Sequence, residues 1–225
     1  MKCFVFAAHP DDEIGCAGTL IKLRKRGILL NLIVLSLGEL SSKKQLVSNM
    51  AEKRKIESLE ASKIIGFDNV EFLNLKNLDF KRNLNTLLEL VKIIRRYKPD
   101  ICFIPYMEDY HYDHREGGRM VKEAIRMADL EWLQEDLGER HMIPMVLEYT
   151  TIDMLEPHII VDIEAEFAEK MEAMKKYESQ ITARYFQLME SLNGYWGYLI
   201  RSKYGEGFRI PSGLHINMQI MDILK

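Results

Sequence analysis

An alternation, repeated along the first half of this chain, most limits what it can fold into: short apolar runs followed by longer segments with helical spacing. A strand covered on both faces reads as a continuous apolar run, and its parallel neighbour is reached through a helical crossover. The alternation therefore predicts an α/β fold, a three-layer Rossmann-like domain with a mostly parallel central sheet. Strands are expected at 3–8, 29–35, 70–73 and 100–105, and helices at about 12–26, 48–65 and 84–97, closed by Gly27, Gly66 and Pro99. Further on, 117–130 reads as helix, 146–151 and 158–163 as strands, and about 164–179 and 185–202 as helices. The segments 37–45 and 107–116 read as loops after strands, where α/β proteins carry function. With no repeat and no Gly/Ser/Pro-rich linker, residues 1–225 are expected to form a single domain.

Composition removes several classes of function. A formal charge of -3 and the lack of a long basic run argue against nucleic acid as a partner. No stretch reaches the ~20 apolar residues of a membrane span, and the apolar N-terminal run lacks the length and cleavage site of a signal peptide. A cytoplasmic protein is expected, and a homo-oligomer is left open. Cys3, Cys16 and Cys102, odd in number and irregular in spacing, read as small buried residues rather than disulfides or ligands.

Two groups of potential metal ligands each follow an apolar strand: His9-Pro10-Asp11-Asp12-Glu13 after the first, and His111-Tyr112-Asp113-His114 after the fourth. In a doubly wound sheet the chain reverses direction between these strands, and ligands bind at their carboxyl ends. The two groups are thus expected to face each other. Two imidazoles and one carboxylate with open positions form the ligand set of a catalytic ion. His9, Asp12 and His114 are the expected ligands, with Zn2+ first and Fe2+ or another divalent ion compatible. Asp11 stays free to take a proton from water that the ion has acidified. His111 and Asp113 form a second pair, in which the carboxylate is expected to raise the imidazole's pKa above ~6.5 so that its cation polarises a carbonyl.

Plainer readings exist for each feature. His-Pro-Asp-Asp by itself also suits a helix start, since Pro and Asp are favoured there. The second ligand group, after the right strand, weighs against that reading. A dinucleotide site would need Gly-x-Gly-x-x-Gly after strand one; Gly15 and Gly18 read instead as close-packing points. His141, His158 and His215 lack carboxylates at ligand spacing, and Tyr195, Trp196 and Tyr198 read as core rather than as a platform for a sugar.

Ala8-His9-Pro10-Asp11-Asp12-Glu13 and His111-Tyr112-Asp113-His114 resemble the two motifs of a family of metal-dependent deacetylases. That family includes the GlcNAc-phosphatidylinositol de-N-acetylase, the deacetylases of mycothiol and bacillithiol synthesis, and the LmbE-like proteins. Weaker similarity covers Arg54-Lys55-Ile56-Glu57, Asp79, Val161-Asp162-Ile163, Tyr177-Glu178-Ser179-Gln180 and Tyr204 to Phe208. The resemblance implies His9, Asp12 and His114 as zinc ligands, Asp11 as general base, and His111, oriented by Asp113, as stabiliser of the tetrahedral intermediate. It also implies that Arg54 and Asp79 contact substrate, although Arg54 on a Lys/Glu-rich helix would by itself read as a solvated charge. Tyr112 replaces the family's usual proline, and Tyr177 the histidine often found before Ser-Gln.

The expected function is metal-dependent hydrolysis of the acetamide of an N-acetylglucosamine-type sugar or conjugate. One alternative is an amidase of the same mechanism acting on another N-acylated amine. The other is a sugar-binding protein without catalysis, against which the presence of both Asp11 and His111 argues.

Overall fold

The run after Lys2 can be buried on both faces because its alternate side chains feed two separate apolar cores. Cys3, Val5 and Ala7 enter one, and Phe4, Phe6 and Ala8 the other. The computed structural model describes residues 1–40, 49–133, 135–214 and 216–224. Strands β1 (Lys2–Ala7), β2 (Leu29–Ser36), β3 (Asn69–Leu75), β4 (Ile101–Pro105) and β5 (Met145–Tyr149) form one parallel sheet in the order β3-β2-β1-β4-β5. Helices α1 (Ala17–Lys25) and α2 (Met50–Ile65) pack into the first core. Helices α3 (Leu84–Tyr97) and α4 (Tyr112–Ala128) pack into the second, which makes the three layers. Cys3 pairs with Leu30 on one side and Ile101 on the other, so β1 and β4 are neighbours at the reversal point of the sheet.

Several boundaries differ from the sequence reading. Residues 12–16 form a 3-10 turn (Asp12–Cys16) before α1 proper. The loop expected over 107–116 ends early, because α4 begins at Tyr112. His111 is its N-cap and accepts the Asp113 N–H through the imidazole, a side chain outside the usual capping set. Strand β6 (Ile159–Asp162) leaves the main sheet and pairs antiparallel with β7 (Gly205–Phe208). Strand β7 escapes the sequence reading because Gly-Glu-Gly-Phe lacks β-branched residues. Helix α5 (Phe167–Met174) is shorter than expected at both ends, and α6 runs Ala183–Leu199. Of the loop at 37–45, residues 41–45 lie outside the described residues, as do Ser48, the expected first residue of α2, and His215.

Other expectations meet their physical reasons directly. A Cβ on Gly15 would lie 2.2 Å from the Thr150 carbonyl oxygen, so that position must be bare. All three cysteines are free and buried. His141 bonds the Pro99 carbonyl at 2.7 Å, and His158 accepts the Ile210 N–H at 3.1 Å. The aromatic triplet divides: Trp196 is core, whereas Tyr195 and Tyr198 are exposed. Beneath the site, the buried Glu206 carboxylate accepts the N–H groups of Gly18 (2.9 Å) and Thr19 (2.7 Å) at the start of α1, and the buried Lys170 ammonium at 2.7 Å. This arrangement ties β7 and α5 to α1. No helix among the described residues is long and apolar enough to cross a membrane.

Candidate active site

The turn after β1 and the first turn of α4 meet at the carboxyl end of the sheet. The imidazole centroids of His9, His111 and His114 lie 4.6–5.5 Å apart, and one ligand atom from each falls within 4.8 Å of the others. His9, Asp12 and His114 are buried, each at 7% exposure or less. They border a cavity of about 370 Å3, a volume typical of small-molecule sites, whose wall also includes Arg54, Asn77, Tyr110, Gln180 and Tyr185.

Hydrogen bonds decide which atoms are free to bind an ion. His9 Nε2 lies 2.9 Å from Asp113 Oδ2, and His114 Nδ1 lies 3.2 Å from Asp109 Oδ2. An ionised carboxylate only accepts, so these nitrogens carry protons, and in the neutral rings His9 Nδ1 and His114 Nε2 are the atoms that would offer lone pairs to an ion. Both atoms face Asp12: Nε2 lies 3.1 Å from Oδ1, and Nδ1 3.8 Å from Oδ2. Two carboxylate-backed imidazoles converging on a third carboxylate are a donor set that fits a divalent cation. In His111, Nδ1 accepts the Asp113 N–H at 3.2 Å, so the neutral ring carries its proton on Nε2 and is a donor.

Asp113 departs from the sequence expectation. Its carboxylate serves His9, with Asn77 Nδ2 at 2.6 Å and the Leu78 N–H at 2.9 Å as further donors, and only its backbone reaches His111. The expected upward pull on His111 is consequently overruled. Burial, followed by the neighbouring His114 and His9, lowers its pKa, and Asp113 adds only a weaker opposing attraction. Burial would raise Asp12, but His114 and His9 outweigh it and hold this carboxyl well below the usual range. His114 is raised, because Asp12 and Asp109 together exceed the cost of burying its charge.

Asp11 sits with φ of 108°, in the region that side chains avoid, and such strain tends to persist where the surroundings over-determine it. Burial pushes its pKa up to about 6, against the lowering attraction of Arg54. Arg54 is buried at 3% exposure and is not a solvated surface charge. It donates to Pro10 O (2.7 Å), Asp11 Oδ1 (3.0 Å) and Gly38 O (3.2 Å). Asp79 lies apart from the ligand groups: half exposed, it pairs with Lys81 at 2.7 Å and is not part of the cavity wall, where Asn77 stands instead.

Sequence reasoning passed over Asp109, Asn77 and Glu13. Asp109 carried a usable signal, a carboxylate five residues before His114 in the same segment. Asn77 carried none, since only the packing of the segment after β3 brings it to Asp113. Glu13 is fully buried, is raised to about 8 chiefly by that burial, and accepts the Tyr177 hydroxyl.

The family profile described as "PIG-L: GlcNAc-PI de-N-acetylase" matches residues 4–125, more than half of the chain. The diacetylchitobiose deacetylase of Thermococcus kodakarensis is 28% identical over 96% of this chain and 85% of its own. A conserved protein of Thermus thermophilus superposes with a TM-score of 0.85 at 28% identity, covering 96% of this chain and 97% of the other. The 4-oxalmesaconate hydratase of Pseudomonas putida is 27% identical over 58% of this chain and 54% of its own. Since the matched residues run from β1 through the ligand groups at both ends of the cavity and into α4, the chain belongs to the PIG-L family, that of the GlcNAc-PI de-N-acetylases.

Proposed function

We propose that this chain, as one domain, removes the N-acetyl group of an N-acetylglucosamine-type sugar or conjugate, with His9, Asp12 and His114 holding a divalent ion. The observation that carries this reading is the partly buried Asp11, held by Arg54, beside the imidazole nitrogens of His9 and His114 that converge on Asp12. Two nitrogens and one oxygen favour Zn2+, and Fe2+ suits the same set. When bound, the ion supplies charge that polarises the acetamide carbonyl and lowers the pKa of water in the site to about 7.

The protein's own residues do the rest. Asp11, beside the ligand group, accepts a proton from the attacking water and delivers it to the departing amine. Arg54 holds one Asp11 oxygen at 3.0 Å, which leaves the other for this transfer. His111 donates Nε2–H, as a neutral ring, to the carbonyl oxygen as that oxygen gains charge. Asp113 and Asp109 orient His9 and His114. Asp79, exposed and paired with Lys81 outside the cavity wall, has no part in this scheme. The names of the relatives support an N-acetylated amino sugar, diacetylchitobiose among them, as substrate.

The test is acetate release from N-acetylglucosamine, diacetylchitobiose and glycosyl conjugates by protein loaded with Zn2+ or Fe2+, beside Asp12→Asn and His114→Ala. Activity that follows metal content across these proteins is expected. The hydratase relative makes water addition to 4-oxalmesaconate a useful control. Turnover of that compound without acetate release from any sugar would overturn the reading.

A further inference from the structure

The conformation of Asp11 needs something to hold it, and the residues that hold its backbone are not part of the cavity wall. Glu13 is fully buried and divides its carboxylate between two partners: Oε2 accepts the Asp11 backbone N–H at 3.2 Å, and Oε1 accepts the hydroxyl of the equally buried Tyr177. Tyr177 is anchored in turn. Its carbonyl accepts the Ile181 N–H at 2.9 Å, and two residues on, Ser179 is pinned by Glu57 of α2 through its N–H (3.0 Å) and hydroxyl (2.5 Å). The strained backbone of Asp11 at φ 108° is thus gripped from behind by Glu13, while Arg54 grips its side chain from the front.

We propose that the buried Glu13–Tyr177 pair is a positioning device for Asp11, fixing the backbone turn that aims this base into the cavity. The proposal rests on the reading of Asp11 as the base. Neither residue reaches the reacting atoms, so both act through Asp11. What matters is a hydrogen-bond pattern and not a charge. An amide at position 13 keeps both contacts, accepting the Asp11 N–H with its carbonyl and donating its NH2 to the Tyr177 oxygen.

The experiment compares Glu13→Gln, Glu13→Met and Tyr177→Phe by two readouts. The first is hydrogen exchange of the Asp11 backbone amide in metal-free protein, followed by NMR. Exchange is expected to stay at the wild-type rate in E13Q, to quicken at least tenfold in E13M, and to fall between in Y177F. The second is kinetics with the metal-loaded enzyme on the best acetamido sugar. Misplacement of a base by about 1 Å costs on the order of a hundredfold. E13M should therefore lose about 10- to 100-fold in kcat with KM and metal content unchanged, and E13Q should retain activity. Should E13M fail to fold, E13Q and Y177F carry the comparison. An Asp11 amide that exchanges alike in every variant, or an E13Q protein as impaired as its more disrupted counterparts, overturns the proposal. If the wild type deacetylates no sugar, the exchange result still decides the positioning role, and the two readings fail separately.

Discussion

Replacing Asp11 with Asn should stabilise the metal-free protein while abolishing activity. A carboxylate whose pKa is pushed from 3.8 to about 6 binds its proton more tightly in the folded state than in the unfolded one. Stability is therefore full below pH ~4, falls as pH rises through the window from 3.8 to about 6, and stays lower above it. A shift of about two units corresponds to about 3 kcal/mol at 1.36 kcal/mol per unit. Because 22% of the Asp11 side chain is exposed to the cavity, about 2–3 kcal/mol is the better figure. Asn mimics the protonated acid and tolerates positive φ, so neither shape nor backbone strain should offset the gain. For a chain of this size the midpoint of thermal unfolding should rise by about 4–12 °C at pH 8 in EDTA. Urea titrations at pH 4 and pH 8 are the decisive assay. The two proteins should converge at pH 4 and separate at pH 8. A D11N protein equal to or weaker than wild type at pH 8 would refute the claim that Asp11 is held ionised at a cost.

Asp109→Asn, which removes the charge behind His114, should weaken metal affinity by about 10–100-fold in a chelator competition and leave the fold intact. His111→Leu should reduce kcat by on the order of 10²–10³ through loss of the Nε2–H donor. Because burial lowers the His111 pKa, the alkaline limb of the kcat/KM profile should be the same in this variant as in wild type; a limb that disappears would restore the charged imidazolium. Lys170→Met leaves the Glu206 carboxylate buried without its ammonium and should cost about 3–5 kcal/mol in urea unfolding, and restoration of that stability by adding Glu206→Gln would assign the loss to the stranded charge.

The sequence by itself determined the layered fold and the meeting of the two ligand groups. Both follow from local facts. Apolar runs such as 3–8 can be satisfied only by cover on two faces, and a strand followed by a helix has one practical way to reach a parallel neighbour. Once β1 and β4 are adjacent, His9 and His114 must come together. The tertiary structure alone decided how each of these groups is tuned. Asp113 is two residues from His111 in the chain, yet its carboxylate turns to His9, because the cap at the start of α4 directs its N–H toward His111 and its side chain the other way. Arg54 sits on a helix rich in charge that would be solvated in isolation, and it is buried because Asp11 and two carbonyls replace its water. Glu13 and Tyr177, 164 positions apart, meet only once α5 has packed against α1. Proton affinity and aim depend on partners distant in sequence, and no spacing along the chain encodes those.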